Sequence, residues 1–137
     1  MLLLSEIRDF LSSIFEPAEF YYVGKLNNKK EKAIGVYQLN TQGRIMPVSK
    51  AKGYDIKNVS LLIHWTNNSK DTEKSAFDLY SLLEQNEKTR IGNKEILIQP
   101  LTNEPVDVGS DENGIYERVI ELSFYYKENN TKERSDD

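Results

Sequence analysis

Apolar residues recur at spacings of three and four through "LLLSEIRDFLSSIF" near the start of the chain. Leu3, Ile7, Phe10, Leu11 and Ile14 fall on one stripe, which predicts an amphipathic helix. Pro17 marks its end, because the residue before a proline avoids helical geometry. After it, "EFYYVGKL" and "KAIGVYQL" are rich in aromatic and β-branched residues. They flank the basic, Asn-rich "NNKKE", which predicts a hairpin. The segment 41–53, "TQGRIMPVSKAKG", holds two glycines and a proline and predicts a long loop with room for a short edge strand. "NVSLLIHWT" is the clearest strand. Val59, Leu61, Ile63 and Trp65 share one of its faces, and Ser60, Leu62, His64 and Thr66 the other.

"NNS" ends that strand, and Ser69 or Asp71 is placed to cap a second helix. Ala76, Phe77, Tyr80 and Leu83 form the stripe of that helix, widened by Leu79 and Leu82, and "NEKTRIGN" ends it. "KEILIQPL" predicts a short strand stopped by Pro100. "TNEPVDVGSDENG" carries turn residues throughout and predicts a loop. "IYERVIELSFYY" predicts a long last strand, with Tyr116, Ile120, Leu122, Phe124 and Tyr126 on one face and Glu117, Glu121 and Ser123 on the other. The final "KENNTKERSDD" contains no apolar side chain. These elements predict one α+β domain over residues 1–127, a mostly antiparallel sheet with two helices packed on one face. Residues 128–137 are expected to be a disordered polar tail.

Composition narrows the chemistry. A chain of 137 residues is long enough for one domain with a real core. It has no cysteine, which excludes disulfides and thiolate metal sites and fits a reducing compartment. Its net charge of -4 argues against general DNA binding, which needs cations to displace counterions from phosphates. No segment approaches the ~20 apolar residues of a membrane span. The start is not read as a signal peptide, because it lacks a basic leader and charged residues interrupt its apolar run.

The candidate sites are few. His64, the single histidine, could act as a proton carrier only beside a nucleophile or a carboxylate such as Asp71 or Glu73. No acid shares its face on the same strand, so it reads as a strand-end histidine on a surface or an interface. "DVGSDENG" looks like a calcium loop. Placing Gly114 at position 6 of the EF-hand pattern, however, puts Gly109 at position 1 and Ile120 at position 12, neither of them a ligand. Asn113-Gly114 reads better as the turn that opens the last strand. "KLNNKKEK" could bind phosphate, but lysines also guard sheet edges. No catalytic, metal or cofactor site is therefore expected. Tyrosines crowd into the strands, and those that one helical layer cannot cover must lie at a face or edge where another protein could dock.

Three pieces of the chain carry a family resemblance: the first helix, "LLIHWTNNSKDTEKSAFDLYSLL", and "IQPLTNEPVDVGSDENGIYERVIELSFYY". Together, up to about residue 127, they resemble the tail terminator (tail completion) or minor capsid proteins of long-tailed bacteriophages and prophages of Gram-positive bacteria. The resemblance implies a structural virion protein, assembled in the host cytoplasm. Its subunits would form a homohexameric ring on the head-proximal end of the tail tube, end tube polymerisation and mediate head–tail joining. The implied partners are further copies of the chain, the major tail tube protein and a head–tail connector or stopper. DNA would be passive cargo in the lumen, with no membrane and no reaction. The competing readings are a small non-catalytic binding module and, less favoured, a small enzyme using His64.

A ring of this kind needs two different patches on each subunit. The 41–53 loop carries Arg44, Lys50 and Lys52 and no acid, whereas residues 103–113 carry Glu104, Asp107, Asp111 and Glu112 and no base. Apposition of these loops between neighbouring subunits is the expected interface.

Overall fold

The computed structural model describes residues 1–27, 29–39 and 53–128. The first helix, α1, spans Leu4–Ile14. It starts at Leu3, whose N–H donates to the Glu6 carboxylate at 2.9 Å, so Glu6 satisfies one of the orphan donors of the first turn. Ile7 and Leu11 are buried as the pattern predicts, and Phe10 and Ile14 are half-buried. Leu3 is not on the buried stripe: it is 47% exposed, and Leu2, ahead of the helix, fills the core instead.

Seven strands follow: β1 (Phe20–Val23), β2 (Ala33–Gln38), β3 (Asp55–His64), β4 (Lys88–Ile91), β5 (Lys94–Pro100), β6 (Val106–Ser110) and β7 (Tyr116–Glu128). The second helix, α2, spans Ser69–Gln85 between β3 and β4. Along the sheet the order is β1-β2-β3-β7-β5-β4, and β6 pairs with β7 beyond the end of β5. Every pairing is antiparallel except β1 with β2. The fold is α+β with a mixed sheet.

The two long strands behave as their alternation requires. Val59 lies opposite Leu122 and Leu61 opposite Ile120, so the apolar residues of β3 and β7 emerge on the same side. Ile34 and Val36 of β2 and Ile96 and Ile98 of β5 extend that side. One buried cluster joins them to Ile7 and Leu11 of α1 and to Ala76, Leu79 and Leu83 of α2. Trp65, 3% exposed, closes the cluster with its ring centroid 6.0 Å from that of Phe15. Tyr80 is buried as well, and its hydroxyl donates to the Thr102 carbonyl at 2.7 Å. No helix among the described residues is long and apolar enough to cross a membrane.

Five expectations need correction. First, β1 and β2 are not a hairpin. They run parallel, with Phe20 beside Ala33. Leu26 is buried over Gly35, where a Cβ would meet Leu26 Cδ2 at 3.2 Å. The Lys32 N–H then bonds the Trp65 carbonyl, which fixes where β2 begins. Second, α2 is capped by Asn68, whose side chain accepts from the Asp71 N–H at 3.0 Å, and not by Ser69 or Asp71. Third, Phe77 is 48% exposed and leaves the stripe, which Thr72 joins. Fourth, "KTRI" within the supposed helix ending is β4, returned by Gly92 at φ 62 into β5. Fifth, the supposed loop before β7 contains β6. The 41–52 part of the basic loop and the tail from residue 129 lie outside the described residues.

Candidate functional site

The polar face of β3 ends in a site that alternation along one strand does not reveal. His64 is not at the surface. It is 0% exposed, so a strand-end residue expected at a surface or interface is a buried one. Three separate pieces of chain surround it. Lys30, ahead of β2, brings its carbonyl to 2.8 Å from Nδ1. The turn before β7 brings Asp111 Oδ2 to 2.9 Å from Nε2. Strand β7 pairs Glu117 directly opposite His64 and sets its Oε2 4.0 Å from Nε2.

The hydrogen-bond inventory orients the ring. A backbone carbonyl can only accept, so Nδ1 carries a hydrogen and Nε2 is the nitrogen turned toward the carboxylates. Asp111 is held in turn. Its Oδ1 accepts from the N–H groups of Asn113 at 2.9 Å and Ile115 at 3.0 Å, which leaves Oδ2 for His64. Gly114 at φ 79 makes this tight turn possible, as the Asn-Gly pair predicts. Burial alone would raise the Asp111 carboxyl. The hydrogen bonds from His64, Ile115 and Asn113 outweigh it, and the carboxyl lies below its ordinary value. Burial pushes the Glu117 carboxyl up; His64 opposes the rise and the charge of Asp111 adds to it. Lys30 contributes its carbonyl only, because its ammonium sits 5.3 Å from the centroid of the Phe20 ring.

Acid–base catalysis would need a pocket that brings substrate to His64. Asp71 and Glu73, the carboxylates weighed as its partners, are not the ones that reach it. Asp71 serves the α2 N-terminus through its N–H, and Glu73 lies 3.9 Å from Arg118. The acids that do reach it are Asp111, 47 residues away in sequence, and Glu117. Asp111 belongs to "DVGSDENG", so that segment supplies a residue to the His64 cluster through a turn.

The acidic residues proposed for an interface divide into two groups. Glu104 and Glu112 are exposed. Asp107 is exposed but lies 3.8 Å from Arg118 of the same chain, and Asp111 is committed to His64. Arg44, Lys50 and Lys52 lie outside the described residues. On the face of the sheet opposite Val59, Leu61 and Ile63, Tyr37 and Tyr125 are half-buried with Leu62 and Val119.

Taken together, these features define a small α+β domain with a mixed sheet, in which the His64 cluster ties the end of β3 to the start of β7. Residues 6–128 match the family described as bacteriophage tail terminator protein, and the chain belongs to that family. A search of curated proteins finds no match.

Proposed function

We propose that the protein caps the head-proximal end of the phage tail tube as a closed ring, ends tube polymerisation and presents a surface for joining to the head. The observation that carries this reading is the family match, which runs from Glu6, within α1, to the end of β7. The sheet is suited to a heterologous contact. Among the described residues β1, at one end of the sheet, and β6, beside β7 and off the main row, each pair with one neighbour only, so two different strand edges are available to a partner. β6 also exposes Val106 and Val108. Such edges can join copies of a chain head to tail, and a rotation that closes makes a ring. Six copies at -4 each carry -24, and an acidic lumen would let DNA slide without adhering.

The basic segment 41–53 of one subunit is proposed to meet the acidic 103–113 segment of the next. Exposed pairs are worth only about 0.2–1 kcal/mol each, so the test combines several. Asp111 and Asp107 are left alone because they hold His64 and face Arg118. Lys50→Glu with Lys52→Glu, and separately Glu104→Lys with Glu112→Lys, should each weaken assembly. The combined variant should restore it. Sedimentation at low salt, with tail tube protein present, reads the outcome. A combined variant that assembles no better than the worse of its parents would show that the two segments do not meet.

A further inference from the structure

Neither the family match nor a tail-capping role gives any reason for His64, Asp111 and Glu117 to converge. Their ligand atoms, one from each side chain, all lie within 4.8 Å of one another, and His64 has no access to water. We infer that these three residues form a binding site for a first-row divalent metal ion of the Zn2+ type.

The arrangement of each donor supports this. A metal-binding imidazole commonly donates its other N–H to a backbone carbonyl, which fixes the tautomer and aims the free nitrogen. His64 does so through Nδ1 and the Lys30 carbonyl, and Nε2, here hydrogen-bonded to Asp111 Oδ2, would give up that contact and any proton in it to the ion. Asp111 is anchored through Oδ1 by two backbone amides, so Oδ2 is presented without freedom to swing away. The 2.9 Å between Nε2 and Oδ2 is a hydrogen-bond distance, and a tetrahedral ion about 2.1 Å from each atom would part them to ~3.4 Å, a shift of only about 0.5 Å. The 4.0 Å between Nε2 and Glu117 Oε2 exceeds the ~3.4 Å of a tetrahedral pair, a difference that a small rotation of the Glu117 side chain removes. The Asp111 and Glu117 side chains keep 15% and 19% exposure, so water can complete the coordination. One imidazole with two carboxylates suits Zn2+, Mn2+ or Co2+, whereas Mg2+ and Ca2+ prefer all-oxygen sites. A bound ion would join the end of β3, the turn after β6 and the start of β7. Its role would be to stiffen one end of the sheet.

The test uses the full chain after treatment with a chelator. Zn2+ titrated by calorimetry should bind at one site per chain. The imidazole nitrogen signals of His64, unambiguous because the chain has one histidine, should shift on Zn2+ addition. Zn2+ should also raise the melting temperature. Glu117→Gln leaves the backbone bonds of the turn intact and should keep the fold while weakening Zn2+ roughly tenfold or more. Asp111→Asn should weaken it as well. Absence of saturable binding at millimolar Zn2+ overturns the inference. So does Zn2+ binding that leaves the His64 signals in place or that Glu117→Gln does not weaken.

Discussion

Replacing Trp65 by alanine is expected to lower stability by roughly 3–5 kcal/mol, the range for removing a large buried aromatic side chain. For a domain of this size that corresponds to a fall in Tm of roughly 10–20 °C. The cause is location. Trp65 follows the last residue of β3, is 3% exposed, and packs at 43° against Phe15 just beyond α1. Its backbone also joins three segments: its N–H bonds the Tyr116 carbonyl, and its carbonyl accepts from Lys32. The backbone bonds survive the substitution, so the loss measures the side chain. Leu and Phe at this position should recover part of it by refilling the cavity. Thermal unfolding followed by circular dichroism checks the prediction, and a change within error would refute the placement of Trp65 in the core.

His64→Ala is expected to cost roughly 2–4 kcal/mol even with chelator present, so that only hydrogen bonds are at stake. The substitution leaves Asp111 Oδ2 and the Lys30 carbonyl without the ring between them. Because Asp111 keeps its amide bonds and some exposure, the loss should stay below that of a fully buried ion pair. His64→Gln can still donate one N–H and should fall between alanine and the native residue. At a surface strand end, where the sequence places His64, glutamine would be nearly silent, and the buried position changes that. A double-mutant cycle with Asp111→Ala should show coupling of roughly 0.5–3 kcal/mol. Additive losses would mean that the contact between the two residues contributes nothing to stability.

The contrast between Trp65 and His64 shows what a single sequence reveals. Trp65, Leu61 and Ile63 repeat an apolar period along one strand, and so do Ile120, Leu122 and Phe124 of β7. Burial on one side of a sheet imposes that period, so both core strands could be read directly. The stripes of α1 and α2 were readable for the same reason, apart from Leu3 and Phe77 at their margins. β4 and β6 were not. "KTRI" and "VDVGS" are mostly exposed strands that bury too little to show a period, and glycine and aspartate in the second read as loop. The parallel pairing of β1 with β2 depends on Leu26 settling over Gly35, a contact that no local pattern announces. The His64 cluster is a product of register. Glu117 reaches His64 because β7 pairs with β3 at that position, and Asp111 reaches it because the Asn113-Gly114 turn folds the chain back.

In the proposed function this domain closes a ring on the tail tube. The most direct measurement is electron microscopy of tubes grown from the tail tube protein of the same genome, with and without the purified chain. The account predicts that added protein shortens the tubes and leaves a ring of sixfold symmetry at one end of each. Tubes of unchanged length, with the chain remaining monomeric beside them, would contradict it.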